Sequence, residues 1–345
     1  MTATFASRLL RWFDENRRDL PWRRTRDPWA IWVSEVMLQQ TRVEAVRASY
    51  ERFVQRFPDP ASFAAASDDE LFAAWRGLGY YRRARLLRDG ARAVVAAHGG
   101  RVPDAVDALA ELPGIGDYTR GAVASIAFGA AVPAIDGNVE RVIARHAGIR
   151  DDVATAAARR RLRGLVEERL ERSRPGDFNQ ALMELGALVC TPRSPACERC
   201  PVAADCAARA AGLTATLPVR KKPREALLVT ARVVLVVASG RALASRIADG
   251  EPNAGQLELP GAGMLTSVAE DDLGAVLRSR FAARIDVGSV VATARHAITH
   301  HRIVLHAHVG TVRDRGRLEW HAVDGEAPWT TPSRKVFAKA LGESA

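Results

Sequence analysis

Lysine is nearly absent from this chain. Of 345 residues only Lys221, Lys222, Lys335 and Lys339 carry a side-chain amine, so the first 220 residues hold none. A Schiff base needs an amine, and chemistry through an internal Lys is excluded from that half. Long apolar runs are also missing. The opening MTATFASRLLRWFDENRRDL interrupts its apolar residues with Arg and Asp, and no stretch elsewhere is long and uninterrupted enough to span a bilayer. The expectation is a cytoplasmic protein with no membrane partner. Cysteine is scarce too, with all four residues between 190 and 206. Without a secretory segment, Cys crowded in this way reads as a metal site rather than as disulfides.

What is present suits a soluble chain of about two domains, with 48% hydrophobic and 26% charged residues. Fifty basic residues against 40 acidic ones leave a net charge of +10, which favours a polyanionic partner. From Phe5 to about Gly212 apolar residues recur at helical spacing, as in LFAAWRGL and GAVASIAF, and predict an all-helical domain over 1–212. LTATLPVRKKPRE has the polar, Pro-containing composition of a connector, placed at 213–227. Beyond it, TARVVLVVAS and HRIVLHAHVGTV are β-branched, and the second predicts Leu305, Ala307 and Val309 on one face against Val304, His306 and His308. SVAEDDLGAVLRSRFA has helical spacing and an acidic start. A smaller α+β domain is therefore expected over 228–345.

Three features carry chemistry. Cys190, Cys197, Cys200 and Cys206 form a C-x6-C-x2-C-x5-C loop, a ligand set for one metal centre, either zinc or an iron-sulfur cluster. LPGIGDYTRGAV places Gly114 and Gly116 between helical stretches, where a tight turn and a helix N-terminus can meet a phosphate. SEVMLQQT carries a single acid, Glu35, inside an otherwise apolar helical stretch, and VPAIDGNVER sets Asp136 among small and apolar residues.

The order of hairpin, aspartate and cysteine loop resembles the endonuclease III superfamily of DNA glycosylases, and the cysteine spacing resembles its four-iron, four-sulfur loop. At the position of the lyase nucleophile, after GIGD, stands Tyr118. RRDLPWRR, SEVMLQQTRV, GLGYYRRAR and FNQALMELGALVC together resemble the adenine DNA glycosylase (MutY) family, which removes adenine mispaired with 8-oxoguanine or guanine. The resemblance implies a helix-hairpin-helix glycosylase domain with a 4Fe-4S cluster on the four Cys, followed by a MutT (Nudix)-like domain that helps read the 8-oxoguanine. It implies Glu35 and Asp136 as the catalytic acids, with Tyr118 and Asn138 beside them. It also implies substrate contacts from Arg18, Leu20, Trp22, Gln40, Thr41, Leu78, Tyr80, Gln180, Thr299 and His300, and contacts to the DNA backbone at Gly114 and Gly116. Arg82, Arg83 and Arg85 are candidates for phosphates, while Arg159, Arg160 and Arg161 read as solvated helix charge.

The C-terminal half departs from the family pattern. Leu257 stands where an aromatic is expected, Ile298-Thr299-His300 replaces Phe-Ser-His, and MLTSVAEDDLGAVLRSRF lacks the REx2EE carboxylates that would hold metal for nucleotide hydrolysis. The expected protein is a monomeric, monofunctional base-excision glycosylase of the bacterial cytoplasm and nucleoid acting on double-stranded DNA. The alternatives are a thymine glycosylase for T:G mispairs and a non-catalytic iron-sulfur DNA-binding protein.

Overall fold

The computed structural model describes residues 4–220, 225–251, 253–323 and 327–342. Lys221 and Lys222 in the expected connector lie outside the described residues. The chain divides into two compact units. One takes in the described residues up to 66, 77–79 and 83–220; the other takes in 67–76, 80–82 and those from 225 onward.

The first unit is helical, as its periodicity predicts. Its Pro28–Leu38 helix starts at Asp27, whose side chain accepts from the Trp29 N–H, with Pro28 at the first position where a missing N–H costs nothing. Every residue from Trp29 to Met37 is buried, so this helix has no solvent face. At its far end the Arg83 guanidinium donates to the carbonyls of Val36 and Met37 at 2.7 and 3.0 Å, satisfying acceptors that a helix C-terminus leaves open. Arg83 also donates to Gln39 O, Thr41 Oγ1 and the carbonyls of Leu78 and Gly79. Its expected phosphate role is thus corrected: the guanidinium is occupied by the turn it holds.

The Asp117–Phe128, Gly137–His146 and Pro175–Leu188 helices complete the frame of the site. Val139, Val142 and Ile143 pack with Phe178, Leu182 and Leu185 in one buried core. Close approach is built in at Gly186, where an added Cβ would fall 2.6 Å from Asn138 Cβ.

The second unit is α+β, with seven strands among the described residues: β1 (Leu227–Leu235), β2 (Val237–Ala238), β3 (Arg241–Arg246), β4 (Leu257–Glu258), β5 (Arg284–Ile298), β6 (His301–Asp314) and β7 (Glu319–Ala322). One sheet has the order β1-β6-β5, with β1 parallel and β5 antiparallel to β6; β3 pairs with β2, β4 and β7. The Leu273–Phe281 and Thr331–Leu341 helices complete it. The first is shorter than its acidic lead-in suggests, since Glu270 and Asp271 precede it. The expected alternation in β6 fails at its centre: His308 is fully buried and Val309 is exposed. The two faces of β6 meet different cores: Ile303, Leu305 and Ala307 pack with Val229 and Leu257, whereas Val312, on the face of His308, packs with Val234 and Ile285. His308 is satisfied there by Arg232 Nη1 and the Gly288 carbonyl, at 3.1 and 3.0 Å.

Candidate active site

A cleft of about 800 Å³ opens within the helical unit, lined by Glu35, Tyr118, Asp136 and Asn138 together with Arg18, Leu20, Trp22, Gln40, Thr41, Gly114, Gly116 and Gln180. These residues come from segments more than 160 positions apart, and the fold brings all of them to one place.

Glu35 is 5% exposed. Burial pushes its carboxyl up to about 7, with the Tyr118 hydrogen bond lowering it, Asp136 raising it and Arg23 lowering it in turn. The Tyr118 hydroxyl donates to Glu35 Oε2 and also lies 3.1 Å from Met183 Sδ. Burial, and then the negative charges of Glu35 and Asp136, hold that phenol well above its usual range, so Tyr118 keeps its proton.

Asp136 has a different environment. It caps the Gly137–His146 helix, with Oδ1 accepting from the Asn138 and Val139 N–H groups at 2.9 and 2.8 Å and Oδ2 accepting from Asn138 Nδ2 at 2.8 Å. Three donors at the helix N-terminus hold this carboxyl in one orientation. The site therefore pairs a buried acid whose carboxyl is raised with a second acid held in place by three hydrogen bonds.

The Asn138 side chain continues this chain of contacts. Its Oδ1 accepts from Arg141 Nη2 at 2.8 Å, and Arg141 Nε donates to the Cys190 carbonyl at 2.8 Å. Arg145, one turn on, donates to the carbonyls of Leu217, Thr191 and Pro192. The cysteine loop is thus fastened to the helix that Asp136 caps.

In the hairpin, Gly114 has φ +80°, and a Cβ there would lie 2.9 Å from Leu86 Cβ, so two constraints select glycine. Gly116 has ordinary extended backbone and caps the Asp117–Phe128 helix with no neighbour within 4 Å of an added Cβ, which leaves the helix N-terminus bare.

Some expected residues stand elsewhere. Leu78 is buried and does not line the cleft, although its carbonyl accepts from Thr41 Oγ1 at 3.2 Å. Tyr80, Thr299 and His300 belong to the second unit. Tyr80 is 54% exposed with φ +49°, and Gln40 at the cleft has φ +57°. Such left-handed non-glycine positions cluster at ligand clamps. Thr299 also has φ +51°, in the β5–β6 turn, and its hydroxyl donates to the Ile298 carbonyl at 2.8 Å.

The cleft also contains residues not singled out from sequence, above all Glu184. It is 1% exposed and accepts from both Arg18 and Arg23. Its place four residues after Gln180, on the same helix face, was the signal available.

All four cysteines are unpaired, partly buried and line one small void with Val142, Leu185 and Val202. Burial, with the neighbouring Cys190, Cys206 and Cys197, pushes the Cys200 thiol up to about 11. Among the described residues, no three His, Cys, Asp or Glu side chains are arranged about a single-ion position. Four thiols around one void supply the ligands for a metal centre.

Comparison with known proteins agrees. The family model for HhH-GPD superfamily base excision DNA repair proteins matches residues 33–168, and that for the iron-sulfur binding domain of endonuclease III matches 190–206. The cysteine loop is an iron-sulfur loop. Among solved structures, a thermostable thymine-DNA glycosylase is 32% identical with a TM-score of 0.55, covering 60% of this chain and 95% of that one. An endonuclease III–DNA complex, 24% identical with a TM-score of 0.52, shares the fold. The human adenine DNA glycosylase is 48% identical over 214 residues, 59% of this chain and 39% of the human protein. The chain spans less than half the length of the human, mouse, rat and Arabidopsis relatives. It spans 74% of the adenine DNA glycosylase of Mycolicibacterium smegmatis at 44% identity, over 63% of its own length. The chain belongs to the adenine DNA glycosylase family.

Proposed function

We propose that the protein is a monofunctional glycosylase that flips adenine out of double-stranded DNA, where it is mispaired with 8-oxoguanine or guanine, and hydrolyses its glycosidic bond in base excision repair. The observation that carries this reading is the buried, proton-holding Glu35 sharing a cleft with the hydrogen-bonded Asp136.

Neutral adenine is a poor leaving group. Glu35, with Oε2 engaged by Tyr118, offers its proton to the base, most directly at N7, as the glycosidic bond lengthens. The deoxyribose then gains positive charge, which the Asp136 carboxylate stabilises or captures before water completes the hydrolysis. Adenine must leave the stack to reach either acid. Leu20 and Trp22 offer an apolar wall, while Arg18 and Gln180 offer polar contacts. The bare helix N-terminus at Gly116 suits a DNA phosphate, and Gln40 and Tyr80 suit the gap and the opposite base.

The four cysteines hold an iron-sulfur cluster whose contribution is to cross-link their loop; Arg141 carries that order to Asn138 and so to Asp136. No amine nucleophile accompanies Tyr118, so the reaction stops at the abasic site. The MutT-like half, with Thr299 and His300 in its β5–β6 turn, is assigned to reading the opposite base. A second reading, removal of thymine from T:G mispairs, is favoured by the thymine-DNA glycosylase neighbour. Glu35→Gln tests the mechanism: base release is expected to be lost with duplex binding retained, and equal release by the variant would remove Glu35 from it.

A further inference from the structure

We propose that Glu184 is a positioning residue for base release: it holds the two arginine forks of the cleft wall in one arrangement and keeps their positive charge from acting on Glu35. This inference rests on the glycosylase reading above. Glu184 lies on the Pro175–Leu188 helix with its side chain 1% exposed. Its Oε1 accepts from Arg18 Nε at 3.0 Å and Arg23 Nη1 at 2.9 Å, and Oε2 accepts from Arg18 Nη2 at 2.7 Å and Arg23 Nη2 at 2.9 Å. The Arg18 backbone N–H adds a fifth bond to Oε1 at 2.9 Å, and Arg23 Nη1 returns to the Arg18 carbonyl at 3.0 Å. Burial alone would raise this carboxyl, but the bonds from Arg23 and Arg18 outweigh it and hold Glu184 at about 2.

Two consequences follow from this geometry. First, RRDLPWRR is anchored to a core helix through one side chain, which fixes the segment presenting Leu20 and Trp22 to the cleft. Arg18 has Nε and Nη2 committed while Nη1 has no hydrogen-bond partner among the described residues, and its side chain is 33% exposed, leaving an oriented donor for a bound base. Second, Glu35 is faced by Tyr118 from the Asp117–Phe128 helix, Asp136 from the cap of the next helix, and Arg23 from the Pro21–Arg23 turn. Arg23 is the one cation in that set, and it favours the deprotonated form that cannot serve as acid. Glu184 neutralises it at hydrogen-bond distance. Arrangements of this kind, in which a buried charge is fully paired, allow a cation beside an acid that must stay neutral.

The test is single-turnover adenine release from A:8-oxoguanine duplexes between pH 5.5 and 9, with duplex affinity and thermal unfolding measured on the same full-length holoprotein. Glu184→Gln is expected to slow release about tenfold or more at neutral pH, with affinity changed less than about threefold, and to move the alkaline limb of the rate profile to lower pH. Glu184→Asp keeps the charge but draws the acceptors back by one methylene, so it is expected to release slowly with the limb where the wild type has it. An alkaline limb unmoved in Glu184→Gln would overturn the proposal, since a purely structural loss scales all rates together. If Glu184→Gln does not fold, Glu184→Asp decides: slow release with an unmoved limb supports the proposal, and wild-type rates overturn it. A wild-type protein that releases no adenine would instead overturn the glycosylase reading.

Discussion

The Tyr118 hydroxyl donates to Oε2 of Glu35, where the lyase members of the superfamily place an amine. One position has thereby exchanged a nucleophile for a clamp on the acid. Since the bond favours ionised Glu35, removing it in Tyr118→Phe raises the Glu35 pKa further. The expected outcome is an alkaline limb of base release shifted to higher pH, with release slowed by a looser carboxyl. A pH–rate profile under single turnover checks this, and an unmoved limb counts against the clamp.

Burying Glu35 also costs stability. A carboxyl whose folded pKa, about 7, lies above its unfolded value binds more protons when folded, so stability falls as pH rises from about 4.5 through 7. At 1.4 kcal/mol per pK unit the cost above pH 7 is up to about 3 kcal/mol. Glu35→Gln is therefore expected to be more stable than wild type at pH 8, with the difference closing toward pH 4.5, in denaturant melts at both pH values.

The Glu184 network has the opposite sign. Its folded pKa of about 2 lies below the unfolded value, so its stabilisation is present above about pH 4.5 and is lost as pH falls toward 2. Replacing Glu184 by Ala leaves two guanidinium groups without their carboxylate and is expected to cost about 3–5 kcal/mol at pH 7. Chemical denaturation at pH 7 measures it.

Cys190 O, Arg141, Asn138 and Asp136 form one hydrogen-bonded line. Arg141→Met keeps the bulk and removes the bonds. Base release is expected to fall at least about tenfold while the cluster's visible absorbance remains. Full activity with intact absorbance would show that the line transmits nothing to Asp136.

Gly186→Ala tests the packing behind it. The new Cβ would stand 2.6 Å from Asn138 Cβ and 3.0 Å from its Cα, so one of the two helices must move. A loss of about 1–3 kcal/mol is expected, together with slower base release.

Much of this site was legible because its chemistry is written in residue types. Glu35, Asp136 and the cysteine spacing name acids and ligands wherever the chain goes. The burial of Glu35 was not legible, since a helix apolar on every side gives no phase from which to choose a face. Charge misled where pairing was hidden: Arg83 reads as a phosphate ligand until its carbonyl partners are seen, and Glu184 went unnoticed because its partners Arg18 and Arg23 lie more than 160 residues away. In β6 the period-two pattern does not tell which face is covered, because a second core around Val234 and Ile285 takes over the opposite face toward the strand's end, where His308 is buried and Val309 exposed.

The central claim, that Glu35 and Asp136 release mispaired adenine, is tested most directly by single-turnover base release followed by alkaline strand cleavage on duplexes carrying A opposite 8-oxoguanine, A opposite G, A opposite T, and T opposite G. The account predicts fast release of adenine opposite 8-oxoguanine, slower release opposite G, and none from A:T or T:G. Release of thymine alone, or of no base from any duplex, would contradict it.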